Sequence, residues 1–315
     1  AIGGGTGLST LLGGLKGFTR NITAVVAVTD EGGSSGRLRQ EWGMLPPGDI
    51  RNCIVALAEN DSSLNSLLNF RFDRGELKGH SLGNLILLAT TEMMGDFQRA
   101  VEELNKLLAI RGQVLPVTTD NVTLKGETAD GRLVSGELEI SDNGSRLAKL
   151  WIEPADAEAL TGVKRAFSEA EIIVLGPGSL FTSVLPNLLL SDMAKLLRES
   201  KVPIVYIANL MTQPRETEGM NIVAHVDWIT GILGTVPDYV LANQSAIPAE
   251  FLSRYSKIGA EPLYLSAKEE NYLESLGTTV VYGDYCEIKN GKYLRHNAQN
   301  LSETIMELVR ENRKS

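Results

Sequence analysis

The stretch Ile2-Gly3-Gly4-Gly5-Thr6-Gly7-Leu8 decides how the rest of the chain is read. Four glycines in five positions belong where a backbone must take positive φ and approach a bulky partner closely, and phosphate is the usual partner. Leu8, Leu11, Leu12 and Leu15 then recur at i, i+3, i+4 and i+7, so the glycines open an amphipathic helix whose first N–H groups are unpaired and face the loop. Gly3, Gly4, Gly5, Thr6 and Gly7 are therefore expected to hold an anion. The loop fits neither G-x-G-x-x-G, which needs glycine where Leu8 stands, nor G-x-x-x-x-G-K-[ST]. A strand-to-helix turn that binds nothing is the alternative.

Downstream, the apolar run at 22–28 is rich in β-branched residues, the mark of a strand covered on both faces. It ends at Thr29-Asp30, which puts Asp30 where an acidic residue of a dinucleotide-binding unit meets a ribose hydroxyl. A second glycine- and hydroxyl-rich loop follows at 31–39, in which Ser34, Ser35 and Arg37 could clamp a phosphate or simply be solvated. Pro46-Pro47-Gly48-Asp49 reads as a stop and an N-cap before the apolar face Ile50, Cys53, Ile54, Leu57 and Ala58. Arg51 and Asn52 in that first turn would aim at the same cleft. A third polar turn holds His80 and Asn84 ahead of a helix at 85–89, and His80 is either an acid or base or a helix cap. No H-x-x-x-H or Cys/His cluster accompanies it, against a dedicated transition-metal site.

Short alternating segments at 114–117, 121–124, 132–140 and 147–152 predict an antiparallel insertion over 113–154. The α/β rhythm resumes with a strand at 172–175 and a third glycine loop carrying Gly176, Gly178, Ser179 and Thr182, before a helix interrupted at Pro186. A strand at 203–208 leads to Asn209 and Thr212, then a helix from about Asn221 past His225 and Trp228. A strand at 238–241, a helix through Tyr255, a hairpin turning on Asn290-Gly291 and a capped helix from Leu301 complete the chain. Strands alternating with helices predict one α/β nucleotide-binding domain over 1–315 with a doubly wound parallel sheet, whose ligand lies beyond the carboxyl ends of the strands at a switch point. Every polar loop above falls at such an end.

The chain has 315 residues, 43% of them apolar, enough to bury a core. A net charge of −9 disfavours nucleic acid and anionic membrane as partners and leaves small ligands. Cys53 and Cys286 are too few and too far apart for a disulfide framework, which fits a reducing cytosol. No run of 18 apolar residues and no leader or lipidation signal stands in the sequence. The opening at Ala1, in mid-strand and without methionine, leads us to expect that a few residues of the first strand precede it.

At these motifs the chain resembles the family of 2-phospho-L-lactate transferase (CofD-like) and the YvcK-like gluconeogenesis factors. The resemblance runs over nearly the whole chain, through Gly3 to Gly7, Asp30 to Arg37, Gly48 to Asn52, Gly79 to Asn84, Gly176 to Ser183 and Asn209 to Thr217. It implies a Rossmann-like three-layer α/β/α fold with a site for a nucleotide diphosphate. The continuous Gly32-Gly33-Ser34-Ser35-Gly36-Arg37-Leu38-Arg39 and Pro46-Pro47-Gly48-Asp49 resemble the YvcK branch, which implies binding of a UDP-sugar and a regulatory role in cell shape and wall integrity during gluconeogenic growth. The other branch implies a transferase, in which Asp30 or Asp49 orients a hydroxyl or a Mg²⁺ and loop N–H groups with Arg37 stabilise developing charge. NAD or GDP are alternative ligands. Resemblance also places Tyr255 and Arg295 near the base and ribose, with a cytoplasmic homo-oligomer and cell-wall or morphogenesis proteins as expected partners.

Overall fold

Residues 1–59 and 62–314 are described by a computed structural model of the chain. Twelve strands are found among them: β1 Ile2–Gly3, β2 Thr23–Val26, β3 Gln113–Pro116, β4 Thr123–Thr128, β5 Leu133–Ser135, β6 Leu147–Glu153, β7 Ile173–Leu175, β8 Ile204–Ile207, β9 Tyr239–Asn243, β10 Thr279–Gly283, β11 Cys286–Lys289 and β12 Tyr293–His296. Seven of them form one parallel sheet in the order β10-β9-β8-β7-β1-β2-β3, while β5-β4-β6 and β11-β12 make small antiparallel sheets. All residues of β7 and β8 are buried, as apolar runs between two helical layers must be. The Gly5–Leu15 helix buries Leu8, Leu11, Leu12 and Leu15 against the Gly48–Leu57 and Ala298–Asn312 helices.

From β1 the chain winds through β2 to β3 on one side, and from β7 through β8 and β9 to β10 on the other. The seam between β1 and β7 is thus the switch point, where loops leaving neighbouring strands diverge and open a crevice.

Several elements differ from the sequence expectation. The segment expected at 114–117 belongs to the main sheet, where Gln113–Pro116 is the edge strand β3, paired in parallel with β2, and the antiparallel sheet begins only at Thr123. A short apolar run carries no period that could tell a buried parallel strand from an insertion strand. The expected strand at 132–140 stops at Ser135; Gly136 turns the chain at φ 88° and Glu137–Asn143 is a helix. The glycine loop at 31–39 is mostly the start of a helix, Gly33–Trp42, with Ser34, Ser35, Gly36 and Leu38 buried. Glycine and serine are poor helix formers, so tertiary packing overrides propensity there. The 85–89 helix extends over Leu82–Met94, capped by Ser81. The hairpin turns where expected, with Asn290 at φ 54° and Gly291 at φ 62° as a primed turn requires. No single helix among the described residues is long and apolar enough to cross a membrane.

Candidate functional site

Gly4 precedes the Gly5–Leu15 helix with no side-chain cap, and Gly5 takes φ 63°, a conformation open to glycine at little cost. A Cβ on Gly7 would lie 2.3 Å from the Pro177 carbonyl oxygen, so the turns leaving β1 and β7 touch across the seam. Asp49 lies over the same helix start. A Cβ on Gly4 would fall 2.6 Å from its Oδ2, and its carboxylate accepts the Gly5 N–H. The expected N-cap role of Asp49 is therefore corrected: its own helix, Gly48–Leu57, follows Pro47 without a side-chain cap, and the carboxylate serves the neighbouring helix instead.

The turn after β7 also differs from expectation. The Phe181 N–H donates to Glu216 Oε1 at 3.0 Å and the Thr182 hydroxyl to the same oxygen at 3.4 Å. Glu216 is 2% exposed, and a buried carboxylate holds its place only by collecting such donors. Those donors are thus committed within the protein rather than offered to a phosphate, and Thr182 faces Glu216. Ser179 is tied up as well, its hydroxyl donating to Glu216 while its Oγ accepts from Gln213 Nε2 at 2.7 Å.

A cavity of about 410 Å³ lies at the seam. It is lined on one side by Gly4, Gly5, Thr6, Gly7, Gly178, Ser179 and Ser183, and on the other by Asn209, Leu210, Met211, Thr212, Gln213, Tyr255, Ile258 and Arg295. The first wall offers backbone N–H groups and hydroxyls; the second offers apolar surface with an aromatic ring and a guanidinium. The Tyr255 hydroxyl accepts the Leu294 N–H at 3.3 Å, and Arg295 donates to the Leu294 carbonyl at 2.9 Å while lying 5.2 Å from the Tyr293 ring centroid. His296 donates from Nε2 to the Ala208 carbonyl at 3.1 Å, and burial pushes its pKa down to about 4, so the ring is neutral. A larger cavity, about 620 Å³, opens at the amino ends of the strands beside Leu15, Glu169 and Val309, where none of these glycine turns reaches.

Beside the first wall four carboxylates gather, those of Asp30, Glu31, Asp49 and Glu137. Asp30 Oδ1 accepts the Gly32 N–H at 2.8 Å, and Asp30 is hydrogen-bonded to Glu137. Glu31 and Glu137 exchange bonds: the Glu31 N–H donates to Glu137 Oε2 at 3.0 Å and the Glu137 N–H to Glu31 Oε2 at 3.1 Å. This pair ties the start of the Glu137–Asn143 helix to the loop after β2. Burial, with Asp30 nearby, raises the Asp49 pKa to about 6. Burial also raises Glu137, and the charges of Asp30 and Asp49 add to it. Among the described residues no group of three or more His, Cys, Asp or Glu is arranged to hold a metal ion.

Ser34, Arg51, His80 and Asn84 form a separate, buried network, with Ser35 buried nearby. Ser34 Oγ meets His80 Nδ1 at 2.9 Å and accepts from Asn84 Nδ2 at 3.1 Å; Asn84 Oδ1 accepts from Arg51 Nε at 3.3 Å; Ser35 Oγ accepts the Gly48 N–H at 3.1 Å. Arg37 donates to the Lys78 carbonyl at 2.7 Å. None of these residues lines the 410 Å³ cavity, nor do Gly3, Asn52, Gly176 and Thr182. Burial, with Arg37 and Arg71 beside it, lowers the His80 pKa. The sequence expectation had no signal for Glu137, read as strand, nor for Glu216, whose role depends on a contact across 35 residues. Arg71 carried no motif either.

Comparison with known proteins adds a lineage to this geometry. The family described as 2-phospho-L-lactate transferase CofD matches residues 1–286. A protein of Halalkalibacterium halodurans named gluconeogenesis factor is 43% identical over 307 residues, 97% of this chain and 94% of that protein. The gluconeogenesis factor of Bacillus subtilis strain 168 is 41% identical over 311 residues, 98% and 97% of the two chains. A crystal structure of a UPF0052-family protein from Bacillus halodurans superposes with a TM-score of 0.93 at 42% identity, covering 97% of this chain and 98% of the other.

Proposed function

Because the chain belongs to the 2-phospho-L-lactate transferase CofD family, we propose that its cleft binds a nucleotide sugar and that the protein is a cytosolic regulator of the gluconeogenesis-factor type. It senses the ligand without turning it over, acts on cell shape and wall integrity, and works as a homo-oligomer with morphogenesis proteins. The cavity at the β1/β7 seam is the observation that supports this. Its glycine wall, at the start of a helix, suits a diphosphate. Its Tyr255 and Arg295 wall suits a flat base and the sugar oxygens. Isothermal titration calorimetry with UDP-N-acetylglucosamine, NAD and GDP tests it. The UDP-sugar should bind, Tyr255→Ala and Arg295→Ala should each weaken it roughly three- to tenfold, and no heat with any of the three would sink the proposal.

A second reading, a transferase, is favoured by one observation: a carboxylate raised to about 6 at the helix start where a diphosphate would lie. In that reaction an acceptor hydroxyl attacks the outer phosphorus, the bond from that phosphorus to the bridging oxygen breaks, and a nucleoside monophosphate leaves. Asp49 takes the hydroxyl proton, and Thr6 and Gly7 hold the inner phosphate. Two carboxylates with substrate phosphates are a common setting for Mg²⁺, so Asp30 and Asp49 would hold the ion, which neutralises the diphosphate when bound. Release of UMP or GMP by the wild type, abolished in Asp49→Asn with binding intact, would replace the regulator with this enzyme.

A further inference from the structure

The protein carries nine more acidic than basic side chains, yet it gathers positive charge at one place beyond the acidic cluster. The guanidinium of Arg37 donates to the Lys78 carbonyl, and that of Arg71 to the carbonyl of the next residue, Gly79. Both are near enough to depress the His80 pKa, and Arg71 also depresses that of the buried Arg51. Among the described residues, neither Arg37, Arg51, Arg71 nor Lys78 forms an ion pair within 4.0 Å. Glu41 is the carboxylate whose charge opposes theirs at His80.

Like charges brought together repel, and the cost is tolerated where an opposite charge arrives from outside. Each guanidinium spends N–H groups on a carbonyl of one short turn and, among the described residues, bonds no other group, so the turn holds two planar donors side by side. Below them His80 is fixed through Nδ1 on Ser34, and Ser34 on Asn84, by a network that is nine-tenths buried. The donors therefore stand on a rigid floor. None of these residues lines the cavity at the β1/β7 seam.

We propose that Arg37 and Arg71, over His80, form a second anion site, distinct from the seam cavity, for a small molecule bearing a phosphate or carboxylate. Along the carboxyl edge of the sheet the order is then a diphosphate cavity, an acidic middle and a basic far end. That layout fits either two ligands side by side or one ligand whose far end is acidic. The chemistry at the basic end is the same in both cases.

The test uses the whole chain and two probes, inorganic phosphate and citrate, titrated by calorimetry at low salt into the wild type, Arg37→Ala, Arg71→Ala, Arg71→Lys and Arg20→Ala. Arg20 is an exposed arginine at the opposite end of the strands and serves as control. Wild type should bind at least one probe; Arg37→Ala and Arg71→Ala should weaken it roughly three- to tenfold, Arg71→Lys should recover part of the loss, and Arg20→Ala should change nothing. The same variants are titrated with UDP-N-acetylglucosamine. Unchanged nucleotide affinity identifies a separate anionic ligand; an equal loss identifies the far end of the nucleotide ligand. Equal affinity of the wild type and both alanine variants for phosphate, citrate and nucleotide would overturn the site. Failure of nucleotide binding alone would overturn the proposed function and leave this site standing.

Discussion

Glu216 and Asp49 do the same work at two helix starts, each satisfying N–H groups that a ligand anion could otherwise use. Burial raises Glu216 from 4.5 to about 7, and the N–H groups of Phe181 and Thr182 only partly offset it. A carboxyl with a raised folded-state pKa stabilises the fold most when protonated, below its unfolded value, and that contribution is lost as pH climbs through the folded value. His225 and His296, pushed down to about 4, act with the opposite sign, so the profile of the wild type alone mixes these contributions. Comparing Glu216→Gln with the wild type isolates the single group. By urea unfolding, the variant should gain on the wild type from about pH 4.5 to 7 and hold a constant offset above that, since each unit of pKa is worth about 1.4 kcal/mol. A pH-independent difference would show that Glu216 is not protonated by folding.

At the scale of elements, the bonds exchanged by Glu31 and Glu137 hold the small antiparallel sheet and its helix against the acidic loop. Gly136 makes this contact possible: it takes φ 88°, and a Cβ there would lie 2.2 Å from Glu31 Oε2. Gly136→Ala should therefore cost about 1–3 kcal/mol in a denaturant melt and release the Glu137–Asn143 amides to faster hydrogen exchange. Unchanged exchange would mean that the insertion is held elsewhere. Elements with a long period were legible in the sequence: Leu8, Leu11, Leu12 and Leu15 marked their helix, and the β-branched run before Asp30 marked β2. Gly33–Trp42 was not, because apart from Leu38 its buried face is made of serines and a glycine that only packing explains. Within the site, the glycine turns, Asp30 and Asp49 carried local signals, whereas Tyr255 and Arg295 were reached only through resemblance. Glu137, Glu216 and Arg71 carried none, because their roles come from contacts made by distant segments and leave no spacing to read.

At the scale of the molecule, β1 has only two residues and two parallel neighbours of very different origin. Ile2 pairs with Val25 on one side and with Leu175 on the other. The Asn187 side chain bonding the Gly3 carbonyl and the Gly7–Pro177 contact close the same join. The consequence is temporal. Strands β1 to β3 and strands β7 to β10 can each pair within their own half of the chain, whereas the join between halves spans the longest loop in the sheet and bears the largest closure entropy. The ligand cavity lies on that join, so it can exist only after both halves have formed. Refolding watched by far-ultraviolet circular dichroism and by capture of a fluorescent nucleotide should show helix and sheet signal first and capture in a later phase, and simultaneous phases would contradict that order. A nascent chain on the ribosome would likewise be blind to its ligand until the segment after Leu175 has emerged.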